Sequence, residues 1–278
     1  MPEYGSTDYW NQRYGREHMD PYDWLFDYKE LETIIHKLIP EKKVPILLIG
    51  CGNAPFSGDL FCGGYTNLTN TDISTVVIEQ QKAKHPEQQW LVMDVMEMAF
   101  EDQSIPVLID KSLIDTVLCY SDSVNETKRM IKEIYRIMAP GSRYITFSLH
   151  SPEETLRYIA DPMFSDWAVS AFRIKSNRWT EEDARRHAAV AYTMVVADRC
   201  NIDGSFNNAQ HEAISEEAIS EEAYKELCAK AEVFNFTLAM NAVTVNQLMR
   251  ELDLCLAGGN EPAEDEAQGE GEGEERKT

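Results

Sequence analysis

The stretch Ile46-Leu47-Leu48-Ile49-Gly50-Cys51-Gly52-Asn53 leaves this chain few folds. A short run without a polar residue has no face to offer water, so it reads as a strand buried on both sides. It ends abruptly in two glycines, which let a backbone turn tightly and pass close to a ligand where a Cβ would collide. The next acidic landmark, Asp72, lies about twenty residues on, where a second strand brings a carboxylate beside the turn of the first. Such a carboxylate can accept from both hydroxyls of a ribose. The combination predicts a parallel α/β sheet that binds an adenosine-containing cofactor.

The flanking sequence alternates between strand-like and helix-like periods. Predicted strands cover 44–49, 67–72, 89–94, 107–110 and 143–149. Predicted helices cover 55–61, opened by Pro55, then 74–84, capped by Ser74, then 113–119 and 125–138. Pro140-Gly141 is expected to stop the last of these. Two β-like segments, 168–174 and 190–198, are expected to pair as an antiparallel edge, with the charged stretch 175–188 as an exposed excursion between them. This alternation gives an α/β fold with a doubly wound, mostly parallel sheet. Ahead of it, Trp10 and Tyr14 stand one helical turn apart, and Leu31, Ile34, Ile35 and Leu38 recur at helical spacing before Pro40. Behind it, 200–212 reads as a loop. Residues 211–224 carry two copies of Glu-Ala-Ile-Ser-Glu, too few for a solenoid. Residues 223–256 are predicted helical, and from Gly258 the Gly/Glu/Pro/Asp composition is that of a disordered tail. The expected division is an N-terminal helical lid (1–40), a cofactor-binding domain (41–199), a helical C-terminal extension (200–257) and an acidic disordered tail (258–278).

Charge narrows the partners. The net charge is −22, of which the stretch 261–278, with eight acids against Arg276 and Lys277, holds −6. The remaining −16 repels phosphate backbones, so nucleic acid is not expected as a partner. A basic protein surface suits it, unless the acidity serves only solubility. No window holds the roughly 18–20 apolar residues of a membrane span, and the first residues lack the pattern of a signal peptide. The six cysteines (Cys51, Cys62, Cys119, Cys200, Cys228 and Cys255) form no CxxC pair, and the six histidines show no metal-ligand spacing. Free thiols, no metal and a monomer in the cytoplasm are therefore expected.

Two cofactor classes share a glycine turn of this kind. Dinucleotide dehydrogenases want G-x-G-x-x-G, because a pyrophosphate sits on the helix that follows. Here Pro55 stands at the third glycine position. S-adenosylmethionine (SAM) carries no phosphate, so the substitution favours SAM. The turn then contributes Gly50, Cys51 and Gly52. Asp72-Ile73 offers the ribose acid, or alternatively a helix cap. Asp94-Val95 offers an acceptor for the adenine amino group and an apolar neighbour for its ring. Asp110-Lys111 lies at the end of the fourth strand, where ligands collect in open α/β sheets, or is simply an exposed strand end. Trp10, Tyr14 and Trp24 either pack on the core or form an aromatic lid attracted to a sulfonium cation.

The combination of Tyr9-Trp10-Asn11-Gln12-Arg13-Tyr14, Pro21-Tyr22-Asp23-Trp24, Leu48-Ile49-Gly50-Cys51-Gly52-Asn53 and Asp110-Lys111 with Asp115 resembles the methyltransferase-like group. Within it, the chain resembles the elongation factor 1-alpha lysine methyltransferases, the type-4 branch most closely. The run 60–67 and Met93-Asp94-Val95 fit as well. The likeness covers roughly residues 8–150, fades towards 199 and does not extend over 200–278. It implies a class I, Rossmann-like, seven-stranded methyltransferase that uses SAM and leaves S-adenosylhomocysteine. It implies cofactor contacts from Trp10, Tyr14, Trp24, Gly50, Asp72, Ile73, Asp94, Val95 and Lys111. It also implies a protein substrate, possibly elongation factor 1-alpha. Two departures stand out: the family's Lys-Gly-Thr-Leu-Asp is Lys111-Ser112-Leu113-Ile114-Asp115 here, and its Pro-Gly-Gly is Pro140-Gly141-Ser142.

A lysine acceptor must lose a proton before it attacks a methyl group. Asp110 and Asp115 are the candidates for steering that amine. A small-molecule methyltransferase and a SAM-binding module without catalysis are the alternatives.

Overall fold

In the computed structural model of this chain, which describes residues 4–16, 20–160, 164, 166–175, 191–203 and 205, the apolar run becomes strand β1, Ile46–Ile49, with all four side chains buried. Successive residues leave a strand on opposite faces. Ile46 and Leu48 accordingly join one hydrophobic cluster, and Leu47 and Ile49 the other. The first cluster is built with helix α2 (Tyr28–Leu38), whose Leu31 and Ile35 are fully buried, and helix α3 (Phe56–Cys62). The second is built with α5 (Leu113–Val117) and α6 (Ser123–Ile137). Helix α1 (Thr7–Tyr14) packs instead beside α4 (Thr75–Lys84), where Tyr14 joins Val77, Ile78 and Trp90.

The remaining strands are β2 (Leu68–Asp72), β3 (Gln89–Val92), β4 (Ile105–Lys111), β5 (Met138–Ser148), β6 (Trp167–Lys175) and β7 (Ala191–Arg199). Together they form one seven-stranded sheet in the order β3-β2-β1-β4-β5-β7-β6. The first five strands are parallel, while β7 runs antiparallel to both β5 and β6, as the two β-like segments led one to expect. The β5–β7 pair is pinned by Arg143, which grips Asp198 with two hydrogen bonds of 2.6 and 2.7 Å and donates a third to the carbonyl of Leu38. Strand order reverses between β1 and β4, so a crevice opens above their carboxyl ends. Ile49 lies opposite both Thr71 and Asp110, which brings the glycine turn level with the ends of β2 and β4.

Three boundaries differ from the sequence reading. Pro140-Gly141 does not separate helix from strand, because β5 starts at Met138. The pair is absorbed as an irregularity: Met138 faces Ile105, Arg143 faces Val107, and Gly141 takes φ +74°. Strand β3 stops at Val92, so Asp94 and Val95 lie in the turn beyond it. A helix α7 (Pro152–Ile159) follows β5 unannounced, although Ser151 and Glu154 form a full capping box with Pro152 in the first turn. Apart from Lys175, which ends β6, the excursion expected at 175–188 lies outside the described residues, as does everything expected beyond 205. Among those described, no helix is long and apolar enough to cross a membrane, and no group of three metal-ligating side chains comes together.

Candidate active site

Both glycines of the turn use conformations closed to most residues. Gly50 has φ +61° and Gly52 φ +56°. A Cβ on Gly50 would sit 2.9 Å from Leu113, and one on Gly52 would sit 3.0 Å from the Tyr14 hydroxyl. Between them, the Cys51 N–H donates to the Thr71 carbonyl at 2.9 Å, which ties the turn to β2. Pro55 has no N–H to add at the start of α3, so the phosphate cradle of a dinucleotide site is not built here.

Asp72 is buried at the end of β2. One carboxylate oxygen accepts from the Gly52 N–H and the other from the Ser74 N–H, each at 2.9 Å. Burial pushes its pKa up, and these backbone donors oppose that rise. Ser74 caps α4 and also donates to Asn11 at 2.7 Å, which docks α1 over the site. Tyr14 therefore reaches the glycine turn from above. Its hydroxyl is pushed far above the usual tyrosine range, first by burial and then by the Asp72 charge. Trp10 stacks on Tyr14 with ring centroids 5.8 Å apart. The Arg13 guanidinium lies over Trp10 at 5.9 Å and over Trp24 at 5.7 Å, clasping α1 to the segment before α2.

Lys111 emerges from the end of β4 into that same segment. Its ammonium pairs with the buried Asp23, donates to the Trp24 carbonyl at 2.9 Å and lies 5.2 Å from the Phe56 ring. Trp24 is thereby fixed against the sheet, with Tyr22 packed edge-on to it at 4.8 Å. On the far side, Asp94 is exposed, accepts from the Met96 N–H at 2.9 Å and stands beside the half-buried Val95. Tyr120 closes that end, its hydroxyl pushed up to about 12 by burial and the nearby Asp94 charge.

The two proposed acids part company. Asp115 lines the cavity, whereas Asp110 does not. Asp110 is 0% exposed and sits below the floor. Its oxygens accept from the N–H groups of Leu113 (2.7 Å) and Ile114 (3.2 Å) and from the hydroxyls of Tyr144 (3.1 Å) and Thr146 (3.0 Å). It thus caps α5 from beneath, and burial raises its pKa to about 7. Asp115 is held by the Ser112 hydroxyl at 2.8 Å, the Ser148 hydroxyl at 2.5 Å and the Leu149 N–H at 3.0 Å. Ser112 occupies the position where the resemblance has glycine. It takes φ +69°, a strained conformation for a residue with a side chain, and its hydroxyl is the one that orients Asp115.

The cavity therefore gathers Trp10, Tyr14, Trp24, Gly50, Cys51, Gly52, Asp72, Ile73, Asp94, Val95, Lys111 and Asp115 from seven separate places in the chain. A family model described as "Methyltransferase domain" matches residues 47–146. The chain is 32% identical over 182 residues to the eEF1A lysine and N-terminal methyltransferase of Mus musculus, covering 63% of this chain and 26% of that protein. It is 30% identical over 181 residues to EEF1A lysine methyltransferase 4 of Mus musculus, covering 60% of this chain and 69% of that protein. This chain belongs to the EEF1A lysine methyltransferase family.

The chain spans about a quarter of the length of the eEF1A lysine and N-terminal methyltransferases that it matches. Among solved structures it is similar to a SAM-dependent methyltransferase from Methanosarcina mazei, at 18% identity over 60% of this chain and 97% of that one, with a TM-score of 0.43. The cavity of this family member also uses residues that sequence reasoning missed. Tyr120 and Phe56 wall it, and Leu149 forms its lip. Asp23 belongs to the Pro21–Trp24 motif but carried no role of its own in the sequence. It became visible only as the partner of Lys111, 88 residues away.

Proposed function

We propose that this chain is a SAM-dependent protein-lysine N-methyltransferase whose acceptor is a basic surface of elongation factor 1-alpha. The observation that carries the proposal is the convergence of the glycine turn, the Asp72 carboxylate and the aromatic lid on one cavity that also contains Asp115. The fit to SAM rests on that cradle: two left-handed glycines that exclude a Cβ, a ribose-type acid and no phosphate site. Gly50 and Gly52 would pass beneath the cofactor, Asp72 would take the ribose, and Asp94 with Val95 would flank the adenine. Trp10, Tyr14, Trp24 and Lys111 would enclose the amino-acid end. When bound, SAM supplies an electrophilic methyl carbon on a sulfonium. The protein's task is then alignment and desolvation of the acceptor amine, the main source of rate in such a transfer.

Two relatives named for eEF1A lysine methylation support the acceptor assignment. So does the charge of −22, which favours a basic partner over nucleic acid. Action in the cytoplasm as a monomer belongs to the same reading. The test is mass spectrometry of eEF1A lysines in cells with and without this protein, together with transfer of labelled methyl groups to purified eEF1A. Loss of one methyl-lysine on deletion, restored by the purified protein, is expected. Label appearing only in a small-molecule fraction, or SAM binding without turnover, would overturn it.

A further inference from the structure

We propose that His150 forms, with Asp115, the route by which the acceptor amine loses its proton. The proposal rests on the lysine reading above and assigns a residue that the cofactor site does not involve. Strand β5 ends at Ser148, and the chain then turns through Leu149 and His150 into α7. Leu149 is 53% exposed and lines the cavity mouth, so this turn lies where an acceptor enters. The backbone of the turn is fixed rigidly. The Leu149 N–H donates to Asp115, the His150 N–H donates to the Ser148 hydroxyl at 3.1 Å, and Thr193 from β7 donates to the His150 carbonyl at 2.6 Å.

The imidazole stands between two carboxylates. Its Nε2 lies 3.9 Å from an Asp115 oxygen, and its Nδ1 lies 3.7 Å from Glu154 on α7. Among the described residues these are its charged neighbours. Thr193, the contact from β7, is neutral. Asp115 faces the cavity and is almost buried, whereas the His150 ring is 38% exposed. One member of the pair thus meets the acceptor and the other meets water.

The chemistry divides accordingly. Asp115 is held in place by three donors, the Ser112 and Ser148 hydroxyls and the Leu149 N–H. It attracts and orients the lysine ammonium. A neutral imidazole is the side chain that takes up a proton near pH 7. The ammonium proton passes by way of Asp115 to His150, leaving a neutral amine and an imidazolium, which returns the proton to water. Bound SAM would supply the methyl carbon, to which the neutral amine would form the N–C bond while sulfur keeps the C–S electron pair. His150 acts through Asp115 and is a positioning residue for the proton.

Two measurements test this. The first is the pH profile of kcat/KM for methyl transfer to the protein acceptor in wild type and His150→Gln. The variant is expected to lose roughly 10–100-fold at neutral pH and to recover at high pH, with KM and S-adenosylhomocysteine affinity unchanged. The second is chemical rescue: free imidazole added to His150→Ala is expected to restore part of the lost rate at neutral pH, which a merely structural role for His150 would not allow. An active wild type with an unchanged profile in His150→Gln overturns the proposal alone. A His150→Ala variant that loses rate and is not restored by imidazole does the same. A wild type that methylates no lysine overturns the lysine reading and this proposal together.

Discussion

Asp72 and Asp110 show how differently two buried carboxylates at strand ends behave. Asp72 opens onto the cavity while holding the turn and α4 together. Asp72→Ala leaves the Gly52 and Ser74 N–H groups without their acceptor, at about 1–3 kcal/mol each. It also removes the proposed ribose contact. Calorimetry with S-adenosylhomocysteine is expected to show more than about tenfold weaker binding, since a charged hydrogen bond contributes at least about 1.4 kcal/mol.

Asp110 serves the fold instead. Its pKa rises from an ordinary 3.8 to about 7. Between those values the folded state therefore binds more protons than the unfolded state, and stability falls as pH rises. The whole effect is on the order of 4 kcal/mol. Urea unfolding at about pH 5 and about pH 8 is expected to show wild type losing more stability across that interval than Asp110→Asn, which cannot titrate. Equal losses would refute the assignment. Asp110 ends an apolar run, as a structural cap and a catalytic acid both can, so only the packing separated the two roles.

At the level of helices and strands, α1 is the piece whose attachment would decide whether the proposed cofactor is enclosed. It is tied to α4 through Asn11, which accepts from Ser74 at 2.7 Å and from the Val76 N–H at 3.4 Å. Asn11→Ala removes these links without touching the glycine turn. A three- to tenfold weaker affinity for S-adenosylhomocysteine is expected, about 1 kcal/mol. The midpoint of thermal unfolding should barely change, because the main clusters lie elsewhere. A large loss of stability would mean that α1 is part of the core. The elements themselves were legible where local demands were strong: β1 from its apolar run, α2 from its spacing, α4 from its Ser74 cap. They were misread where two signals competed. Pro140-Gly141 was taken as a helix stop because nothing nearby shows that the following strand bulges. The Ser151–Glu154 capping box was present but followed by too short an apolar pattern to stand out.

Taken whole, the molecule is an acidic body that is expected to meet a basic partner. Its charge of −22 steers such a partner from a distance, and added salt screens that steering. Raising salt from about 20 mM to about 500 mM should lower kcat/KM for the protein acceptor about tenfold or more, while S-adenosylhomocysteine affinity changes little. A flat salt response would leave the acidity as a matter of solubility alone.

The sequence by itself determined the strand–turn–helix logic, the place of Asp72 at the end of the second strand beside the glycine turn, and the antiparallel edge. Each depends on a backbone conformation or a period of two or 3.6 that adjacent residues impose. Only the tertiary structure decided that Asp115 and not Asp110 faces the cavity, that Asp23 pairs with Lys111, and that Tyr120 and Leu149 stand at its edges. Those outcomes depend on burial and on contacts between distant residues, and no local pattern of residue types carries that information. The Gly50–Gly52 turn needed only its own neighbours to be recognised, but its ligand cavity needed the whole sheet to be built.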